Sequence, residues 1–323
     1  MKISEIVIFF ILLATSVSAN DIFSYEDIFK NTKVTKEECE AKQHAVWVEA
    51  SWIEKGLFSD STVNATACIR YFPSKSAEHS KTAILFFSGD ITDKKIYEKS
   101  ANYDTQVAYS TKNEEELGVA IIRVGRPSLY GSTGMTHKER RLPIEAYLNN
   151  AAISKIKEKF GYERISIAGQ SGGGGIVSAI LTLGRTDLDC AVSASGVSSI
   201  KTRIKTFNPK NYAKHEDMTG YSFSQIYDPI DYIKNINKDS KRTTFIIGDP
   251  RDTVVSFESQ QEFFENLKSV ETNAVLIEAE ASSKGGYHWL SNAAIKTASM
   301  CVKGSSVNEI KAAIRKNNQL TTS

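Results

Sequence analysis

The chain has 323 residues, 41% of them hydrophobic, with 40 Lys and Arg against 38 Asp and Glu for a net charge of +2. The basic residues are scattered, which leaves no electrostatic case for nucleic acid or for an anionic membrane surface. The length is large for one domain but ordinary for an α/β architecture.

Met1–Ala19 reads as a secretory signal: Lys2, an apolar run Ile6–Ala14, then Val17-Ser18-Ala19 at the expected cut. The run is shorter than the roughly 20 apolar residues of a membrane span. No cysteine follows the cut and no later stretch is long and apolar, so no stable membrane anchor is expected. A mature chain from Asn20, periplasmic or secreted, is the expectation. Cys39, Cys68, Cys190 and Cys301 are an even set, which in an exported protein favours two disulfides. Three pairings are open. Cys39 and Cys68 flank one hairpin region, while Cys190 opens a strand and Cys301 lies near the C-terminus, so Cys39–Cys68 with Cys190–Cys301 is preferred. The spacing has no C-x-x-C, and no zinc or other metal site is expected.

Asp21–Lys42 is charged and reads as helix and loop. Ala45–Trp52 and Ala65–Phe72 read as an antiparallel pair, with a glycosylation sequon at Asn64 that has meaning only in a eukaryotic source. Ala83–Phe87 is a continuous apolar run, the mark of a strand buried on both faces, and it ends in Ser88-Gly89-Asp90. A helix over Ser100–Glu116 leads to the buried strand Val119–Val124. Next comes Gly125–Gly134, dense in turn formers. Within it Arg126 and Tyr130 offer a cation and an amphipathic ring to a polar or anionic part of a substrate. The plainer alternative is that Arg126 pairs with a surface carboxylate and Tyr130 merely packs. Leu142–Phe160 has helical spacing and Gly161 stops it.

The stretch RISIAGQSGGGGIVSAI at Arg164–Ile180 organises the chain. An apolar, β-favouring run enters Gly169-Gln170-Ser171-Gly172-Gly173, and helix-spaced Ile176, Val177, Ala179 and Ile180 follow. Strand, turn and helix with a serine at the apex is the context of a G-x-S-x-G nucleophile elbow. The flanking glycines let strand and helix pass closely, and the Gly172 N–H, opening a helix, points where an oxyanion would form. Other readings compete. Gly173-x-Gly175-x-x-Ser178 is an imperfect dinucleotide fingerprint, a phosphate loop would end in Gly-Lys-Ser/Thr, and a plain turn serine is the third.

Further strands are expected at Asp189–Ser195, Thr243–Ile247 and Ala274–Glu278, with helices at Phe257–Val270 and Asn308–Lys316. Gly196–Arg242 is irregular and reads as a small lid, with Tyr212 and Tyr221 as lining. Alternating strand and helix at this spacing implies one mostly parallel sheet with helices on both faces.

A serine hydroxyl needs an imidazole to take its proton and a carboxylate to orient that imidazole. In an open α/β sheet these groups meet at the carboxyl ends of strands. The strand Thr243–Ile247 runs into Gly248-Asp249-Pro250-Arg251-Asp252-Thr253-Val254-Val255. Asp252 is favoured as the acid because its apolar neighbours can anchor the loop; Asp249 beside Pro250 suits a turn cap. His288 falls in the loop after the last strand, behind Gly285 and Gly286, whereas His44, His79, His137 and His215 lie upstream of it.

Gly169-Gln170-Ser171-Gly172-Gly173, Asp252-Thr253-Val254-Val255 and His288, each after the expected strand, resemble the α/β-hydrolase superfamily over nearly the whole mature chain. The resemblance implies a sheet of about eight strands, a Ser171–Asp252–His288 triad, no cofactor, and an oxyanion hole. One oxyanion donor is the Gly172 N–H. The other comes from the turn holding Gly89 and Asp90, where Ser-Gly-Asp replaces the family's common His-Gly. It further implies a serine hydrolase acting on a small-molecule ester or short peptide. An esterase comes first. A peptidase of prolyl-oligopeptidase type comes second, suggested by Tyr227-Asp228-Pro229, and a non-catalytic binding protein third.

Overall fold

The computed structural model describes residues 21–54 and 59–316. The signal segment Met1–Ala19 lies outside the described residues. The described part is built from strands β1 (Ala45–Glu54), β2 (Ser61–Pro73), β3 (Ile84–Phe87), β4 (Ile121–Val124), β5 (Ile165–Gln170), β6 (Leu188–Ala194), β7 (Thr243–Gly248) and β8 (Ala274–Glu278). They form an eight-stranded sheet in the order β1-β2-β4-β3-β5-β6-β7-β8. β1 with β2 and β2 with β4 are antiparallel, and every later pairing is parallel.

The helices are α1 (Lys36–Glu40), α2 (Lys94–Ser100), α3 (Tyr103–Leu117), α4 (Pro143–Phe160), α5 (Gly172–Thr182), α6 (Ile200–Phe207), α7 (Pro209–Ala213), α8 (Phe257–Ser269), α9 (Ser291–Val302) and α10 (Val307–Lys316). The period of two in the strands decides how they cover the sheet. Leu85 and Phe87 of β3 point into one core with Ile153 of α4, Ile180 of α5 and Phe263 of α8. Their neighbours Ile84 and Phe86 point into the other, with Ile295 of α9 and Ile310 of α10. Both faces are therefore dry, which is why the central strands are unbroken apolar runs.

Local chemistry sets the boundaries. α4 starts on Pro143, whose missing N–H costs a first turn nothing, and stops at Gly161 with φ 69°. The helix expected over Ser100–Glu116 is α3, which starts at Tyr103 because Asn102 caps it by accepting from the Thr105 N–H; α2 precedes it as a separate helix that the sequence reading lacked. α9 has no counterpart in the sequence reading, since SNAAIKTASMCV is mostly small residues with a weak apolar stripe. Its Ala294 and Ala298 let it lie close on the sheet. Gly196–Arg242, expected to be irregular, contains α6 and α7.

Disulfides join Cys39 of α1 to Cys68 of β2 and Cys190 of β6 to Cys301 of α9. No free cysteine remains. They close loops of 29 and 111 residues, each expected to stabilise the fold by about 2–4 kcal/mol. Among the described residues no helix is long and apolar enough to cross a membrane.

Candidate active site

The sheet's parallel strands end together, and the loops after β3, β5, β7 and β8 build the site. Ser171 sits between β5 and α5 at φ 57°, ψ −122°, a conformation that costs a serine on the order of 1–3 kcal/mol. Its backbone is held on both sides: the N–H donates to the Ala194 carbonyl at 2.9 Å, and the carbonyl accepts from Gly175 and Val197 at 3.0 and 3.2 Å. The neighbouring glycines are required by contact. A Cβ on Gly169 would lie 2.2 Å from the Gly173 carbonyl oxygen, and one on Gly173 would lie 2.0 Å from that of Phe87.

His288 follows β8 and Asp252 follows β7. Both are buried, with His288 Nδ1 and Asp252 Oδ2 2.7 Å apart. Asp252 Oδ1 accepts from the Val254 and Val255 N–H groups at 2.8 and 2.9 Å, which aims the carboxylate. The Gln170 side chain, one residue before Ser171, donates to the His288 carbonyl at 3.1 Å and ties the two loops together. His288 Nε2 is buried and has no hydrogen-bond partner among the described residues, and His288 lines the same cavity as Ser171. Asp249 is turned elsewhere: its carboxylate accepts from the backbone and side chain of Arg251 and from the Ala281 N–H. The geometry thus separates the two aspartates that the sequence left side by side.

The turn after β3 lies against the serine. A Cβ on Gly89 would stand 3.0 Å from Ser171 Cβ, and one on Gly172 would stand 2.3 Å from Asp90 Oδ1. The Gly172 N–H is in the first turn of α5, where the helix offers it no acceptor. The Asp90 side chain is a carboxylate held by Arg126 at 2.9 Å, Arg141 at 2.5 Å and Arg140 at 3.8 Å. Burial alone would raise its carboxyl, but Arg141, Arg126 and Arg140 outweigh burial and hold it well below the usual range. Any contribution of this turn to an oxyanion site is therefore from its backbone.

Arg126 and Tyr130 do not face the cavity, which corrects the expectation that they meet substrate. The loop after β4 folds back on β2, through Gly125 N–H to the Arg70 carbonyl and Thr133 N–H to the Cys68 carbonyl. That return carries Arg126 inward to 2% exposure, where it pairs with Asp90 and Glu145 and donates to the Ser88 carbonyl. Tyr130 stacks on Tyr97 and meets Phe72 edge-on. The plainer alternative, a paired arginine and a packed tyrosine, is what the structure has, although Glu145 is buried and Asp90 lines the cavity at 15% exposure rather than standing on the open surface. Tyr212 and Tyr221 also fail to line the cavity: Tyr212 packs on Phe223, and Tyr221 joins the cluster around Val197 and Ile226.

The cavity has a volume of about 510 Å³. Ile200, Arg203 and Ile204 of α6 form one wall, spaced three and four apart so that they share a helix face. Ile96, Met218, Val254 and Trp289 give it an exposed apolar mouth. Arg140, Arg141, Glu145 and Arg203 were not singled out from the sequence. The Arg140-Arg141 pair ahead of α4 was a visible signal, but its partner Asp90 lies 51 residues upstream of Arg141. Among the described residues no group of acidic, histidine or cysteine side chains is placed to hold a metal ion.

A mostly parallel sheet that delivers a serine after its central strand, and an acid and a histidine after its last two, is the α/β-hydrolase fold. The protein is a serine hydrolase of that superfamily. Within it, residues 150–299, just under half the chain, match the Prolyl oligopeptidase family. That span runs from within α4 into α9 and contains Ser171, Asp252 and His288. No curated protein matches the chain. Among solved structures, it is similar to the Pyrococcus furiosus esterase Pf2001 at 15% identity and TM-score 0.44, covering 89% of this chain and 95% of that one. It is similar to Est1E of Butyrivibrio proteoclasticus with ferulic acid bound at 15% identity and TM-score 0.49, covering 71% and 93%. A puromycin-hydrolyzing peptidase of Mycobacterium tuberculosis is similar at 16% identity and TM-score 0.49, covering 80% of this chain and 40% of that one.

Proposed function

We propose that the protein is an exported carboxylic ester hydrolase working through an acyl-enzyme on Ser171. The observation that carries this reading is the buried His288 Nε2, which has no partner among the described residues, on a side chain that lines the cavity with Ser171 while its Nδ1 is held by Asp252. Asp252 fixes the tautomer that leaves Nε2 free to accept. Ser171 Oγ adds to the ester carbonyl carbon as its proton passes to Nε2, and the oxyanion is stabilised by the Gly172 N–H and by the backbone at Gly89 and Asp90. The bond to the alcohol oxygen breaks as Nε2 returns the proton to it. Water then repeats the sequence on the acyl-enzyme and releases the acid.

The apolar mouth supports an ester with a hydrophobic part. The segment 196–242, with α6 in the cavity wall, serves as a small lid. The two disulfides support an oxidising compartment, in keeping with the Met1–Ala19 signal. The match to the Prolyl oligopeptidase family favours a second reading, a peptidase acting on a short peptide.

A fluorophosphonate probe tests the mechanism. It should label the wild-type protein once and leave Ser171→Ala unlabelled, with turnover of p-nitrophenyl esters lowered roughly 10⁴- to 10⁶-fold. Labelling that survives the substitution rejects Ser171 as the nucleophile. Faster turnover of aminoacyl amides than of matched esters selects the peptidase reading.

A further inference from the structure

The cavity wall beside the candidate nucleophile carries a guanidinium group that the described residues leave without a counter-charge. Arg126 spends its terminal nitrogens on Ser88, Asp90 and Glu145, and Arg141 bridges Asp90 and Glu145. Arg140 reaches Asp90 at 3.8 Å. Arg203 is different. Its Nε donates to the Val254 carbonyl at 2.9 Å, and among the described residues no carboxylate lies within ion-pair distance of it. The charges that act on it are Arg141 and Arg140 on one side, Asp90 and Asp252 on the other. Asp252 is committed to His288, and Asp90 to three other arginines. The other carboxylates of the wall are engaged too: Asp93 accepts from the Lys95 and Ile96 N–H groups, and Asp217 from Thr219 and Tyr221.

We propose that Arg203, supported by Arg140, binds a carboxylate carried by the substrate in addition to the bond that is cleaved. The bond to Val254 holds the guanidinium on the wall that also bears Ser171 and His288, and its two terminal nitrogens form a fork suited to a carboxylate. A half-buried, unpaired guanidinium is costly to keep, and an anionic ligand removes that cost. Burial, then Arg141, lowers Arg203 to about 10, which leaves it charged at neutral pH. The substrate class is thus an ester bearing a free carboxylate on its acyl or alcohol side. This deepens the hydrolase reading and rests on it.

Two matched pairs of esters test the assignment: mono-p-nitrophenyl glutarate against p-nitrophenyl valerate, and 3-carboxyphenyl butyrate against phenyl butyrate. The wild-type protein should favour the anionic member of at least one pair in kcat/KM. Arg203→Gln should lower that anionic-to-neutral ratio by about 10- to 100-fold, mainly through KM, the size of a charge-assisted hydrogen bond. Arg203→Lys should retain part of it. Calorimetric binding of the same esters to Ser171→Ala, with and without Arg203→Gln, reads the carboxylate preference without turnover. Ratios that stay within about twofold in both measurements overturn the role of Arg203. Loss of fluorophosphonate labelling in the wild-type protein would reject the hydrolase reading separately.

Discussion

Arg126→Gln should act on stability, and its size follows from the ion network. The wild-type guanidinium is 2% exposed and sits between two carboxylates, the buried Glu145 and Asp90, whose side chain is 15% exposed. Breaking one partner out of a buried charge network costs about 3–5 kcal/mol, because the remaining charges stay out of water uncompensated. Here the remainder is only partly stranded. Asp90 keeps Arg141 at 2.5 Å, and Glu145 keeps Arg141 at 3.6 Å and its N–H at 2.8 Å. The loss should therefore fall near the lower end, about 3 kcal/mol, or a fall in Tm of about 6 °C for a chain of this size. Urea unfolding at pH 7 with disulfides intact measures it. Glu145→Gln added to Arg126→Gln should cost less than the sum of the two single changes, by about 1–3 kcal/mol. Below its Tm the variant should keep the wild-type preference between carboxylated and neutral esters. A loss under about 1 kcal/mol, or a selective rise in KM for the carboxylated ester, would refute the burial argument and return Arg126 to the substrate site.

Asp252→Asn should cost on the order of 10⁴ in turnover with little change in stability, since it imposes the wrong tautomer on His288. Asp249→Asn should instead lose about 1–3 kcal/mol of stability, as its carboxylate holds Arg251 and the Ala281 N–H; steady-state kinetics and urea melts of both variants check the pair. Asp228 caps α6 through the Ile200 and Lys201 N–H groups, yet burial raises its carboxyl from 3.8 to about 6. The folded state then holds that proton to higher pH than the unfolded chain, so its contribution is fully present below about pH 4 and is lost as pH rises through 6, a change on the order of 3 kcal/mol. Melts at pH 4 and 7.5 should show that slope in the wild-type protein and not in Asp228→Asn.

Most of the sheet was legible because its strands are dry on both faces: Ile84–Phe87 and Thr243–Gly248 can hardly be anything but buried strand. Ser171 was legible for a steric reason, since the glycines two before and two after it are those whose Cβ atoms would strike backbone. α9 was not legible because its buried face is mostly small residues, Ala293, Ala294, Thr297, Ala298 and Ser299 around Ile295, which carry little periodic hydrophobic signal.

Composition and local pattern by themselves determined the alternating architecture, the turn at Ser171 and the presence of an acid and a histidine after the last two strands. Period and turn chemistry act over a few residues, and the chain can be read at that range. Which aspartate meets His288, and which arginine faces the cavity, depends on contacts between residues far apart in the chain. Asp249 and Asp252 are three residues apart, yet one turns to Arg251 and Ala281 and the other to His288. Arg126 looked exposed in a polar loop until the return of that loop to β2 buried it against Asp90 and Glu145. Arg203 carried no signal of its own; α6 and the Val254 carbonyl set it on the cavity wall. Burial and charge pairing belong to the packed molecule, and only tertiary structure assigns them.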